Sequence, residues 1–288
     1  MDDAISQLGH ADPMARITQI VKRSGTSFYW AMRVLPPFKR NAMFTVYAFC
    51  REVDDIADGP ERPTRKIQEL DIWQDEIDRL YDGNPTHLVT QALATPVQTF
   101  GFARADFDAV IAGMQMDAVD RLRIADSAEL ELYCDRVACA VGRLSCAVFG
   151  IPSELAQPLA KNLGEALQLT NILRDIHEDA LRDHVYLPAD LLRRHDCDPT
   201  DAAKLVDQPG LAAVCREIAA IAEERFAAAE TIISRCDRNA VRPALVMKAV
   251  YRDILNGLQR RGWDHISTPL KRSKLRRYAL VARSLIFG

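Results

Sequence analysis

The chain has 288 residues, 48% of them hydrophobic and 27% charged, a balance that excludes a disordered polymer and leaves enough length to bury a deep core. A formal net charge of −3 supplies no basic excess for nucleic acid, and no uninterrupted apolar run reaches the ~18 residues that span a bilayer. The opening Met1-Asp2-Asp3-Ala4-Ile5 lacks the basic-then-apolar layout of a signal peptide, so a cytoplasmic protein is expected, at most peripheral on the inner face of the membrane. Seven cysteines, scattered without metal-type spacing, read as small core hydrophobes in a reducing compartment.

Apolar residues recur with a helical period almost throughout, and alternating β-branched stretches are scarce. Pro36-Pro37 opens a helical segment from Phe38 to Ala57, which Gly59-Pro60 closes. Further helices are expected at about 62–81, 86–99, 104–120 and 127–148. Gly150-Ile151-Pro152 breaks the chain before a helix at about 157–181, and Arg182 to Pro188 reads as a loop. The last helices fall at about 210–236, 240–260 and 272–286. Without repeats, low-complexity tracts or linkers, the expectation is a single all-α domain over 1–288, flexible at 1–15 and 287–288.

Two of these helices carry acidic stripes. Tyr47, Arg51, Asp54 and Asp58 fall at i, i+4, i+7 and i+11 on one face, while Ala42, Met43, Phe44, Val46, Phe49, Val53 and Ile56 make the rest apolar. Like charges one turn apart repel, and carboxylates on a buried helix must face a cavity, pair with cations or hold a metal. The second segment repeats the arrangement: Gln168, Asn171, Asp175 and Asp179 form a stripe, with Leu167, Leu169, Ile172, Leu173 and Ile176 around it. Hard oxygen donors facing one another across a cavity suit Mg²⁺, which commonly bridges carboxylates to substrate phosphates. There is no phosphate-cradling Gly-rich loop, so phosphate would be held through metal and through Arg51 and Arg174.

These residues also carry a family resemblance. Ser27-Phe28-Tyr29-Trp30, Leu35-Pro36, Tyr47-Ala48-Phe49-Cys50-Arg51 and Asp54-Asp55-Ile56-Ala57-Asp58 resemble the first signature of the squalene/phytoene synthases. Gln168-Leu169-Thr170-Asn171-Ile172-Leu173-Arg174-Asp175, then Glu178-Asp179 and Val185-Tyr186-Leu187-Pro188, resemble the second. The resemblance extends from about residue 18 to 260, and the first signature looks most like that of the bacterial members that make presqualene diphosphate for hopanoids.

The resemblance implies an isoprenoid synthase fold with a central cavity between helices, and several Mg²⁺ ions per active site. Asp54, Asp58, Asn171, Asp175 and Asp179 match metal-binding positions, and Asp54, Asp58, Asp175 and Asp179 with Tyr47 and Arg51 match catalytic ones. Arg51 and Arg174 match diphosphate contacts, Gln168 a polar residue of the cavity, and Ser27, Phe28, Tyr47, Tyr133 and Tyr186 positions near the substrates. Val137, Ala138, Val141 and Gly142 resemble a small-residue helix along which prenyl chains lie, although the same residues also suit tight helix packing.

The implied reaction joins two farnesyl diphosphates head to head to presqualene diphosphate, without NADPH. Phytoene synthases, which take two geranylgeranyl diphosphates, share nearly every catalytic position, and a complete NADPH-dependent squalene synthase is a further alternative. A non-catalytic scaffold of the same fold would be expected to lose metal ligands, and every matched ligand is present. The basic, amphipathic stretch from Lys271 to Phe287 suits an anionic bilayer, a solvated last helix or a cation for the diphosphate.

Overall fold

The computed structural model describes residues 13–23 and 28–270. The expected helix at 272–286, its proposed membrane contact and Ser27 therefore lie outside the described residues. Two short helices that the periodicity did not signal come first: α1 (Pro13–Arg23) and α2 (Phe28–Arg33). Pro13, Met14 and Ala15 form the first turn of α1, whose apolar side, Ile17 and Val21, is buried against the core.

Helix α3 (Pro37–Asp58) begins on a proline, whose missing N–H costs nothing in a first turn, and stops at Gly59. Then come α4 (Pro63–Tyr81), α5 (Leu88–Phe100) and α6 (Arg104–Asp117). Helix α5 starts later than expected because the His87 ring caps it, accepting the Val89 N–H, and Gly101 ends it with a φ of 64°. Buried aromatic edges lock these helices together: Phe49 of α3 meets Trp73 of α4 at 5.6 Å and Phe107 of α6 at 5.1 Å between ring centroids.

The continuous helix expected at 127–148 is built in three parts. Helix α7 (Ser127–Cys134), capped by Asp126, runs into one π-helical turn, Asp135–Cys139, and continues as α8 (Ala140–Phe149). Gly150, with a φ of 81°, closes α8. Helix α9 (Ser153–Leu181) starts four residues before the expected 157 and tolerates Pro158 in its second turn. At 29 residues it is about 44 Å long, and it forms the axis of the molecule, packed by α12 (Leu211–Ile233), α8, the π turn and α13 (Arg238–Arg261). Between α9 and α12 lie two short helices that were not expected, α10 (Ala189–Arg194) and α11 (Ala202–Leu205).

The expected loop at 182–188 contains a strand, β2 (His184–Val185), which pairs in parallel with β1 (Leu122–Arg123); the helix expected at 104–120 ends earlier, α6 stopping at Asp117. This two-residue ladder clamps the exit of α9. Arg123 Nη1 donates to the Asp183 carbonyl at 2.5 Å, Leu122 N–H reaches the same oxygen at 3.2 Å, and Asp183 takes a positive φ of 57°. All seven cysteines are free thiols, five of them buried, as core hydrophobes should be. Among the described residues, no helix is long and apolar enough to cross a membrane.

Candidate active site

Helices α2, α3, α8, α9 and α13 enclose an apolar cavity of about 260 Å³. Its walls are side chains at helical spacing. Met43, Val46, Tyr47 and Cys50 come from α3, and Leu159, Ala160, Leu163, Gly164 and Leu167 from α9. Val137, Ala138, Val141 and Gly142 line it from the π turn and α8, with Met247 and Tyr251 of α13 and Phe28 of α2 opposite. Gln168 and Asn171 are the polar residues of α9 at its upper end.

Glycines let the walls close. A Cβ on Gly164 would lie 2.9 Å from Cys139 Cα, and one on Gly142 would lie 3.1 Å from Ala160 Cα, so α9 touches the π turn and α8 at backbone distance. Gly142 and Ala160 also face the cavity, so the small residues serve close packing and open space together. The π turn adds a residue to the helical circuit just where Val137 and Ala138 enter the wall, a placement typical of functional sites.

Above the cavity three helices deliver carboxylates to one region. Asp54 and Asp58 come from the end of α3, Asp175 and Asp179 from α9, and Asp117, which the acidic stripes did not include, is the last residue of α6. Asp117 is 8% exposed and accepts the Tyr186 hydroxyl at 2.8 Å and the Tyr133 hydroxyl at 3.1 Å. Burial pushes its pKa up to about 7, against those two hydrogen bonds, and the charges of Asp58 and Asp54 push the same way.

Burial and the neighbouring Asp175 raise Asp179 to about 7. Asp54 rises to about 6 through burial and Asp58, although 42% of its side chain still meets solvent. The electrostatics therefore describe a mouth with too much negative charge for itself.

Arginines offset part of that excess. Arg51 Nη1 donates to Asp54 at 2.8 Å and also pairs with Asp55, Arg174 Nε donates to Asp175 at 2.7 Å, and Arg182 Nη1 donates to Asp58 at 2.7 Å. Arg182, expected in a loop, is the C-cap of α9 and continues the face that carries Asp175 and Asp179. The buried Tyr251 hydroxyl meets Asn171 and Arg174.

The donor set fits a divalent cation held in part by substrate. Asn171 Oδ1 is buried with no hydrogen-bond donor, an omission that costs about 1–3 kcal/mol unless something positive approaches it. Among the described residues no three His, Cys, Asp or Glu side chains are close enough to enclose one ion by themselves. Mg²⁺ does not require that: it keeps several waters and is commonly bound by one or two carboxylates plus phosphate oxygens.

Most of the expected site residues are brought to this one place. Phe28, Tyr47, Gln168, Asn171, Val137, Ala138, Val141 and Gly142 line the cavity. Asp54, Asp58, Asp175, Asp179, Arg51 and Arg174 surround its mouth, and Tyr133 and Tyr186 stand on Asp117, their rings 5.0 Å apart. Asp117, Arg182 and Tyr251 join the set from structure alone.

A shell of helices around an apolar cavity with an acidic, arginine-screened mouth defines an all-α isoprenoid synthase. The chain belongs to the squalene/phytoene synthase family, whose model matches residues 21–279. It is 42% identical over 277 residues to a presqualene diphosphate synthase of Rhodopseudomonas palustris, covering 96% of this chain and 99% of that one. A presqualene diphosphate synthase of Zymomonas mobilis is 44% identical over 251 residues, covering 87% and 86%. Among solved structures, a dehydrosqualene synthase crystallised with a ligand superposes with a TM-score of 0.81 at 27% identity, over 95% of each chain. Membership of this family makes the chain a prenyltransferase.

Proposed function

We propose that this chain joins two farnesyl diphosphates head to head and releases presqualene diphosphate as its product. The observation that carries the reading is the joining of one apolar cavity to carboxylates from three helices, in a family member 42% identical to a presqualene diphosphate synthase. An apolar cavity suits the prenyl chains, and the charged mouth suits the diphosphates.

Asp54 and Asp58 of α3, with Asn171, Asp175 and Asp179 of α9, would hold Mg²⁺. Bound there with substrate, Mg²⁺ supplies Lewis-acid stabilisation of the charge that develops on a departing diphosphate. Arg51, Arg174 and Arg182, which pair with carboxylates of the mouth, would release them and donate charge-assisted hydrogen bonds to the same phosphates. One allylic C–O bond breaks, the resulting cation alkylates the C2–C3 double bond of the second substrate, and loss of one proton closes a cyclopropane. Cavity residues such as Val46, Val141 and Leu163 would keep water from the cation, while Phe28 and Tyr47, which also line the cavity, would offer it π-electron density.

No step of this sequence consumes a reductant, so NADPH is not required. The stoichiometry tests the reading: one diphosphate should be released for every two farnesyl diphosphates consumed, in Mg²⁺ and without NADPH. Release of two diphosphates for every two farnesyl diphosphates consumed would reject the half-reaction.

A further inference from the structure

The cavity has a definite lower end. Along α9 its lining descends from Asn171 to Leu159, twelve residues or about 18 Å of helix. From the π turn through α8 it descends from Val137 to Phe149, and on α13 from Tyr251 to Pro243. Beyond that end lies a separate surface groove of about 500 Å³, lined by Val34, Leu35, Lys39, Asp237, Asn239 and Arg242. Phe149 and Pro243 line both hollows. One layer of side chains therefore separates the dry cavity from a charged, solvent-facing groove.

That layer is held in place. Phe149 is the last residue of α8 and 7% exposed, and Gly150 turns the chain away behind it with a φ of 81°. Lys39 Nζ donates to the Phe149 carbonyl at 2.8 Å, tying the end of α8 to the start of α3. A proline at 243 is fixed in φ and sits in the second turn of α13.

We propose that Phe149, backed by Pro243, is the floor of the prenyl-chain cavity and limits the chain length the enzyme accepts. The inference rests on the prenyl reading of the cavity given above. A chain one isoprene unit longer must pass the floor into the groove, so the wild-type site discriminates by exclusion, and removing the ring joins the two hollows. Phe149 is a specificity-determining residue, remote from the reacting atoms, so its loss changes which substrate binds more than the rate of the chemistry.

The test compares wild type with Phe149→Ala and Phe149→Leu, each shown by a cooperative melt to be folded. Binding of the unreactive thiolodiphosphate analogues of farnesyl and geranylgeranyl diphosphate is measured by calorimetry in Mg²⁺, alongside turnover of the natural diphosphates. Wild type should favour the C15 analogue. The C20-to-C15 affinity ratio should rise about tenfold or more in Phe149→Ala and less in Phe149→Leu, within the range one pocket contact can deliver. An unchanged ratio in whichever variant folds would overturn the floor. A wild type that binds both analogues but turns over neither substrate would reject the proposed reaction and leave the ratio to decide the floor; one that binds neither analogue overturns both.

Discussion

Arg182 Nη1 lies 2.7 Å from Asp58 Oδ1, joining the exit of α9 to the last residue of α3 across 124 positions of sequence. Both side chains are nearly half exposed, 42% and 48%, so the pair adds at most about 1 kcal/mol to stability. Its value lies in setting a cation beside Asp58 that also favours the ionisation of Asp54 and Asp179. Arg182→Gln should leave the melting temperature in Mg²⁺ nearly unchanged and lower kcat/KM for farnesyl diphosphate by about tenfold or more, the loss of a charge-assisted contact. Thermal melts and steady-state kinetics on one preparation check both halves.

Carboxylates gathered for a ligand oppose the fold when the ligand is absent. Asp54→Asn should therefore raise the melting temperature in EDTA, because it removes a charge that Asp58 and Asp55 repel, while lowering turnover in Mg²⁺ by about 10²-fold or more. In the wild type, EDTA should stop turnover and Mg²⁺ restore it. A variant less stable than wild type in EDTA would show that Asp54 is structural.

Asp117 makes a prediction about pH. In the unfolded chain its carboxyl titrates near 4, whereas in the fold burial raises it to about 7. Between those values the native state binds more protons, so this group's contribution to stability is full below about pH 4 and is lost as pH rises through about 7. Without Mg²⁺, the wild type should lose stability between pH 5 and pH 8 in urea titrations, and Asp117→Asn should flatten that slope. Asp54 and Asp179 push in the same direction, so the slope should shrink in Asp117→Asn without vanishing.

The acidic stripes of α3 and α9 were legible because a helix repeats every turn. Asp54 with Asp58, and Asn171 with Asp175 and Asp179, stand out against apolar neighbours at fixed spacing. Asp117 carries no such mark: it is one acid at the ragged end of α6, and its meaning arises when Tyr133 and Tyr186, far apart in sequence, close on it. Arg182 did carry a signal, standing at i+3 from Asp179 and i+7 from Asp175, but a helix ended at 181 leaves it in the loop. The π turn at Asp135–Cys139 keeps the apolar pattern of an ordinary helix, so sequence shows 127–148 as one element. Helices α1, α2, α10 and α11 escaped notice because each runs four to eleven residues, too short for periodicity to speak.

Glu76 offers a test of the scaffold away from the mouth. It is 4% exposed, and its carboxylate accepts the Thr86 and His87 N–H groups at 2.6 and 2.7 Å, the Thr86 and Thr90 hydroxyls at 2.7 and 2.6 Å, and Arg79 Nε at 2.7 Å. Burial alone would raise its pKa, but these bonds prevail and hold it down at about 2. Glu76→Ala leaves those donors without their acceptor and should cost about 3 kcal/mol or more by denaturant titration. The wild-type contribution is present above about pH 4.5 and is lost as pH falls through about 2, opposite in sense to Asp117.

Product identity tests the central proposal most directly. Purified protein would be incubated with farnesyl diphosphate and Mg²⁺, with and without NADPH, and the organic products identified by mass spectrometry. The account predicts presqualene diphosphate in both reactions. Squalene appearing when NADPH is added, or no C30 product in either reaction, would contradict it.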